Sequence, residues 1–297
     1  MGILHTCIMG VLPWVPLPLM RRLSARYIAG ETLPEAMGVL RANAGRGFAG
    51  VLDLLGEGVE DEAAARAALA DYKSAASEMK AAGLDSYVSV KPTHFGLALS
   101  TNLALELYSD LAQHCEGLGQ SMRVEMEDHS TTDSTLELFR ALHGRFKRVG
   151  IVLQSRLLRT PADIAALGTE AMDVRMVKGI YLEHESIAHC EREPIRDAYV
   201  DCTRQLWSAG HRVALATHDG PLAERCLSLA EELQVGSDRL EFEVLLGVQR
   251  PLWEIWQKAG HRVRVYVPYG PEWRSYSERR LRKNPEILGH VMRNLLR

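Results

Sequence analysis

The sequence predicts an α/β protein, a single (β/α)8 barrel of the TIM type. Three observations support this prediction. Eight short β-type segments recur along the chain, amphipathic helix-forming segments lie between them, and polar residues follow most of the predicted strands. In such a barrel the ligand-binding groups lie at the carboxyl ends of the parallel strands, so the third observation also predicts where a functional site should lie.

The predicted strands are short, and several are rich in valine and isoleucine, which is typical of buried parallel strands. They are Gly50–Leu55, Ser86–Lys91, Met122–Met126, Val149–Leu153, Asp173–Val177, Arg212–Ala216, Leu240–Val244 and Arg262–Val267.

Helical segments with one apolar face separate these strands, most clearly at Glu60–Ala82, Thr101–Leu118 and Pro221–Leu233. The residues Thr32-Leu-Pro-Glu35 have the pattern of a capping box, which predicts a helix over Ala36–Asn43. Glycines that suit left-handed C-cap positions follow three helical runs, at Gly83, Gly119 and Gly260.

Eight strands with eight helical returns favour a barrel over a doubly wound open sheet. The open sheet usually has a G-x-G-x-x-G turn after its first strand, and Leu55-Gly56-Glu57-Gly58 does not continue in that way. A length of 297 residues with 46% hydrophobic and 25% charged residues suits one barrel domain. We assign residues 26–297 to this barrel, since no linker or low-complexity tract interrupts them.

Residues 1–25 are predicted to form an apolar N-terminal arm. The arm lacks the basic start of a signal peptide, and Pro13, Pro16 and Pro18 break any continuous helix. We interpret it as a segment that covers part of the domain or forms a surface patch, with peripheral contact to the inner face of a membrane as the alternative.

The charge and the cysteines limit the class of protein. A net charge of −3 argues against nucleic-acid binding, which needs a clustered basic excess. Five widely spaced cysteines without a C-x-x-C motif indicate neither a disulfide framework nor a zinc ribbon. A reducing compartment, the cytoplasm, is therefore expected.

Polar residues lie at or just after seven of the eight predicted strands, as a barrel active site requires. They are Lys91, Glu125, Glu127-Asp128-His129, Gln154, Arg175, Lys178-Gly179, Thr217-His218-Asp219, Glu241, Glu243 and Tyr266 with Tyr269.

Each of these residues also has a purely structural interpretation. Lys91 could be a solvated loop residue and His218 a core histidine. Glu125 could form a structural ion pair with Arg123 or Arg175, because a buried carboxylate needs a partner. Glu127, Asp128 and His129 are adjacent and cannot easily converge on one ion, so no metal site is expected.

After the last strand, Tyr276 and Arg280 are four residues apart and share a helical face with Arg279. Two neighbouring guanidinium groups suit a bidentate grip on a small carboxylate. A phosphate grip and a plain basic surface patch are the alternatives.

Ordered motifs from about residue 26 to the C-terminus resemble those of proline dehydrogenases. The most specific is Tyr266-Val-Pro-Tyr-Gly followed by Trp273, Tyr276 and Arg279-Arg280-Leu. The other matching blocks are Ala29-Gly-Glu, Leu55-Gly-Glu, Ser89-Val-Lys-Pro, Glu125-Met-Glu-Asp, Gly150-Ile-Val-Leu-Gln, Arg175-Met-Val-Lys-Gly-Ile-Tyr and Ala216-Thr-His.

The resemblance implies a distorted barrel with noncovalent FAD that oxidises L-proline to Δ1-pyrroline-5-carboxylate by hydride transfer. It implies that Glu125 and Arg175 serve catalysis. Substrate-binding residues would be Lys91, Arg279, Arg280, Tyr266, Tyr276, Tyr181 and Leu245. Flavin-binding residues would be Met126, Val152, Gln154, Arg175, Lys178, Gly179, Ile180, Tyr181, Thr217 and His218. A quinone is implied as the electron acceptor.

The chain departs from the family pattern at several of these positions. Glu125 stands where the family usually has Asp, Glu243 where it usually has Gln, and Lys283 where it has an acid. Ser155-Arg156 and Ile180 also replace the usual residues near the cofactor. These departures leave open a related flavin barrel that oxidises another cyclic imino acid such as hydroxyproline, or a degenerate homologue that binds without turnover.

Overall fold

In the computed structural model, which describes residues 20–277 apart from 22, 23 and 275, eight parallel strands close into a barrel. The strands pair in chain order and β1 pairs with β8. They are β1 (Ala49–Leu54), β2 (Ser86–Val90), β3 (Met122–Val124), β4 (Val149–Gln154), β5 (Asp173–Val177), β6 (Arg212–Ala216), β7 (Leu240–Leu245) and β8 (Arg262–Tyr269). The predicted β/α barrel is confirmed.

Each strand from β1 to β7 is followed by a helix, and the helix α1 (Leu33–Ala44) lies directly before β1 in the sequence. The helices that follow the strands are α2 (Glu62–Ala81), α3 (Thr101–Gly117), α4 (Thr132–His143), α5 (Thr160–Ala165), α6 (Arg192–Ser208), α7 (Gly220–Glu232) and α8 (Arg250–Lys258). After β8, Trp273, Arg274, Tyr276 and Ser277 are helical. The continuation of the eighth predicted return lies outside the described residues.

The predicted boundaries hold to within a few residues. The capping box is present, because Glu35 accepts from the backbone N–H of Thr32 at 3.0 Å. The strand β3 is shorter than predicted: it ends at Val124, and the chain turns into a loop that leads to a 3₁₀ turn at His129–Thr131. The strand β8 is longer, because its pairing with β1 continues to Leu54 and Tyr269.

Apolar residues pack between the strands and the outer helices. On β7, Phe242 and Val244 are buried, and the ring of Phe242 stacks on Trp256 of α8 with centroids 4.0 Å apart. The two neighbours of Phe242 in the sequence, Glu241 and Glu243, point the other way, since side chains alternate along a strand. One face of each strand therefore builds the apolar core, and the other faces the barrel interior.

Near the amino ends of the strands, the barrel interior is charged rather than apolar. Glu241 is fully buried and lies 2.6 Å from Arg212, 3.2 Å from Arg262 and 3.2 Å from Arg264. Burial raises the pKa of Glu241, but the surrounding guanidinium groups outweigh it and lower the pKa to about 2. The interior is thus stable only as a compensated set of ion pairs.

The described end of the N-terminal arm contacts the barrel near its carboxyl face. Met20 packs with Ile28, Leu55 and Trp273, and the Ser24 hydroxyl donates to Ser277 at 2.8 Å. Residues 1–19 lie outside the described residues, and the division at residues 25 and 26 stays a prediction.

Two features are absent from the part of the chain that the structure describes. No helix there is long and apolar enough to cross a membrane. No group of three or more His, Cys, Asp or Glu side chains among the same residues could hold a metal ion.

Glu241→Gln should lower the free energy of unfolding by about 3–5 kcal/mol at pH 7, because three arginines lose a buried anion. Urea denaturation measures this. The matched control is Glu232→Gln, which removes an exposed partner of Arg204 and should cost less than about 1 kcal/mol.

The same variant tests the pKa of Glu241. A lowered folded-state pKa stabilises the protein above the ordinary value of 4.5, and this stabilisation is lost as the pH falls toward about 2. The wild-type protein should therefore lose more stability than Glu241→Gln over this pH interval. Parallel pH profiles for the two proteins would contradict the assignment.

Candidate active site

Arg175, on β5, is the centre of a buried network at the mouth of the barrel. Its Nη1 donates to Oε1 of Glu125 at 2.5 Å, and its Nε donates to Oε2 of Glu243. Its guanidinium also lies 5.2 Å from the ring centroid of Tyr266. Burial disfavours the charged form of Arg175, but the two carboxylates more than compensate and raise its pKa well above the ordinary value.

Glu125 follows β3 and accepts three hydrogen bonds on one oxygen. The donors are Arg175, the Ser89 hydroxyl at 2.5 Å and the Tyr266 hydroxyl at 3.2 Å. Burial opposes its ionisation, yet Arg175 and Ser89 lower its pKa overall, so Glu125 is an ionised carboxylate at neutral pH. Of the two structural partners considered for it, Arg175 is the one it contacts.

Lys91, directly after β2, pairs with Asp53 of β1 at 3.1 Å. Burial disfavours the ammonium form, but the Asp53 and Glu125 carboxylates raise the pKa of Lys91 above its usual value. Burial raises the pKa of Asp53, and Lys91 offsets only part of that effect. Lys91 therefore forms an ion pair and is not a solvated loop residue, which was its structural interpretation from the sequence.

Sequence reasoning missed Asp53 as a site residue, although a usable signal exists. Asp53 interrupts the apolar run of β1 and its side chain is 1% exposed. A buried carboxylate within an apolar strand needs a cationic partner. The partner is 38 positions away in the sequence. The sequence could therefore predict that Asp53 has a cationic partner, but not which residue that partner is.

Glu243 lies deeper in the barrel and contacts Tyr87 at 2.5 Å and Arg123 at 3.4 Å as well as Arg175. Arg123 in turn donates to Tyr87 and Asp173. The sequence identified Glu243 as a departure from the family pattern, but not that it contacts Arg175.

The residues predicted to line a cofactor follow β4 and β5. The Gln154 side chain donates to the backbone carbonyl of Glu127 at 2.7 Å. Gly179 has φ +94°, a backbone conformation that favours glycine, and a Cβ there would lie 2.7 Å from Oε1 of Gln154. Lys178 forms an ion pair with Asp219, which also pairs with Arg196. The cation predicted at Lys178 is thus already partnered.

Four of these predicted residues differ in exposure. Met126 and Val152 are buried, Tyr181 is half-buried and Ile180 is 62% exposed. Burial raises the pKa of the Tyr181 hydroxyl, and the Glu127 carboxylate adds to that effect.

On the β6 side of the mouth, His218 accepts from the backbone N–H of Leu245 at 2.8 Å. Thr217 is buried, and its hydroxyl accepts from the N–H of Asp219 at 3.1 Å. Tyr276 is half-buried after β8. Arg279 and Arg280, the predicted carboxylate clamp, lie outside the described residues, as does Lys283.

The site has features that fit a planar, hydrogen-bonding cofactor such as a flavin. The Nη2 atom of Arg175 is buried and has no hydrogen-bond partner among the described residues. A buried donor of this kind needs an acceptor. The bare backbone at Gly179 permits close approach. Arg175, Gln154, Lys178 and Gly179 are the residues that would hold such a group.

Comparison with known proteins gives consistent matches over most of the chain. The family model for proline dehydrogenase matches residues 36–293. A proline dehydrogenase of Deinococcus radiodurans is 34% identical over 94% of this chain and 91% of that protein. Proline dehydrogenase 1 of Bacillus subtilis is 30% identical over 93% of this chain and 92% of that protein.

Solved structures give the same fold. Proline utilization A from Bdellovibrio bacteriovorus, inactivated by N-propargylglycine, aligns with a TM-score of 0.81 at 23% identity over 87% of this chain. Proline utilization A from Bradyrhizobium japonicum aligns with a TM-score of 0.74 at 22% identity over 88% of this chain. The chain spans about a third of the length of these two proteins, 32% and 30%.

Asp53→Asn should destabilise the protein by about 3 kcal/mol, because it leaves the ammonium of Lys91 without its closest anion. Urea denaturation at pH 7 measures the loss. The control is Asp110→Asn, which removes the exposed partner of Lys73 and should cost less than about 1 kcal/mol. Equal losses in the two variants would show that the pair of Asp53 and Lys91 is not a buried ion pair.

Proposed function

The chain belongs to the proline dehydrogenase family, and we propose that it oxidises L-proline to Δ1-pyrroline-5-carboxylate with noncovalently bound FAD. Members of this family are flavin-dependent enzymes. The observation that carries the proposal is the state of Arg175, a buried guanidinium that is fixed by two carboxylates and keeps one nitrogen without a partner among the described residues.

The proposed reaction removes a hydride from C5 of proline and a proton from its nitrogen, so that the C5–N bond becomes a double bond. A bound flavin supplies the acceptor for the hydride. The protein contributes orientation, since C5 must be held against the acceptor for the transfer to occur. It also contributes fixed charges and donors, which tune the electronics of a cofactor.

Lys91 suits the role of a substrate-carboxylate ligand rather than that of a base. Its raised pKa keeps it as an ammonium group at neutral pH, so it can attract an anion but cannot accept a proton. Together with Arg279 and Arg280 it would hold the substrate carboxylate, and Tyr266, Tyr276, Tyr181 and Leu245 would close around the pyrrolidine ring. Bidentate arginines give such a clamp its direction.

Glu125 and Arg175 act in this proposal as an ionised pair that does not exchange protons with substrate. The lowered pKa of Glu125 and the raised pKa of Arg175 keep both groups charged through neutral pH. Because neither group would act as a base, proline would react as the neutral amine. Its nitrogen would then lose a proton without a strong general base. Met126, Val152, Gln154, Lys178, Gly179, Ile180, Thr217 and His218 would line the flavin.

We also propose a quinone as electron acceptor and a cytoplasmic location, with peripheral contact to the inner face of the membrane. The family resemblance supports the acceptor. The apolar composition of residues 1–25 supports the contact.

The purified protein should be yellow, and anaerobic addition of L-proline should bleach the flavin absorbance. A spectrophotometric titration measures this, with D-proline as the control ligand. Bleaching by trans-4-hydroxy-L-proline but not by L-proline would indicate the alternative imino acid. A yellow colour that neither ligand changes would indicate a homologue that binds without turnover.

Arg279→Met and Arg280→Met should each raise the KM for proline roughly 10- to 150-fold, the equivalent of about 1.5–3 kcal/mol for a lost charged contact. The flavin should remain bound in both variants. Arg204→Met is the control, because Arg204 pairs with Glu232 in the outer helical layer. An unchanged KM in both clamp variants would count against the carboxylate clamp.

A further inference from the structure

The carboxylate of Glu243 holds Arg175 from inside the barrel. Its side chain is 2% exposed, and its two oxygens divide their contacts. Oε2 accepts from Nε of Arg175, while Oε1 accepts from the Tyr87 hydroxyl and lies 3.4 Å from Arg123. The position of Arg175 is therefore set by two anions, Glu243 at Nε and Glu125 at Nη1.

These contacts determine which part of Arg175 is available to a ligand. With Nε and Nη1 occupied, Nη2 is the nitrogen that has no partner among the described residues, although it is buried. A guanidinium is planar, so two fixed nitrogens also fix the direction of the third. Glu243 thus takes part in aiming the donor that the proposed function directs at the flavin.

Glu243 also balances the charge around this donor. We define the inner charge cluster as the cations Lys91, Arg123 and Arg175 with the anions Asp53, Glu125 and Glu243. The ion pairs within it join Lys91 to Asp53, Arg175 to Glu125 and Glu243, and Arg123 to Glu243. Three positive and three negative charges cancel within this set, and Asp173, a further partner of Arg123, is itself paired with Arg212. A glutamine at position 243, as is usual in the family pattern, would leave the cluster with one net positive charge.

We propose that Glu243 is a positioning residue that aims Arg175 and cancels its charge, and so lowers the reduction potential of the flavin. This proposal rests on the proposed function, because it requires a flavin beside Arg175. A positive charge near a flavin favours the reduced form, which is the more electron-rich. The anion of Glu243 therefore makes the bound flavin a weaker oxidant and its reduced form a stronger electron donor.

The test is the two-electron midpoint potential of the flavin in Glu243→Gln. Gln has nearly the same shape as Glu and is usual at this place in the family, so the variant should fold. The variant should favour flavin reduction at least tenfold more than the parent, which corresponds to an upward shift of about 30 mV for a two-electron couple. This readout does not depend on turnover of proline.

Two further variants separate charge from structure. Glu243→Asp keeps the negative charge, and Asp173→Asn removes a carboxylate that pairs with Arg123 and Arg212 but does not contact Arg175. Glu243→Asp should leave the potential close to that of the parent, and Asp173→Asn, whose lost charge does not contact Arg175, should raise it by less than Glu243→Gln does. An equal rise in Glu243→Asp would overturn the charge argument. An unchanged potential in Glu243→Gln, with or without a lower melting temperature, would reduce Glu243 to a structural residue.

The outcome for the parent protein distinguishes this inference from the proposed function. A parent that binds no flavin, or whose flavin does not respond to proline, contradicts the proposed function itself. A parent that bleaches normally while Glu243→Gln keeps the same potential contradicts only the inference.

Discussion

The constraint on which the structure depends is charge compensation inside the closed barrel. Arg175 is buried between two carboxylates, Lys91 is paired with Asp53, and Glu241 is surrounded by three arginines. Removing one member of such a set leaves an uncompensated buried charge, which is far more costly than a lost surface ion pair. The interior charges therefore fix one another's positions, and the residues of the candidate site are held in place by the same ion pairs.

The barrel separates this polar interior from the core that stabilises the fold. Along β7, Phe242 packs outward on Trp256, while Glu241 and Glu243 point inward. The layer of charged residues around Glu241 lies near the amino ends of the strands, and the layer around Arg175 lies toward their carboxyl ends. The outward-facing residues thus stabilise the fold by packing against the helices, and the inward-facing residues at the carboxyl ends of the strands are available for ligand binding.

Most of the fold could be predicted from the sequence, because strand and helix periodicities are local. The strands β5 and β6 match the prediction, and β3 differs because its ladder stops where the chain enters a loop. The contacts within the site were harder to predict from the sequence. Polar strand ends identified Lys91, Glu125 and Arg175, but the contacts with Asp53 and Glu243 follow only from the three-dimensional arrangement of the strands, which joins residues 38 and 68 positions apart.

A crystal structure of the protein with its flavin and a nonreacting proline analogue would show whether the buried charges aim Arg175 at the cofactor. We expect Nη2 of Arg175 to donate to the flavin while Glu125 and Glu243 keep their contacts with the same guanidinium. We further expect the analogue's carboxylate to lie beside Lys91. A flavin bound away from Arg175, or an Arg175 side chain turned out of the barrel, would contradict these expectations.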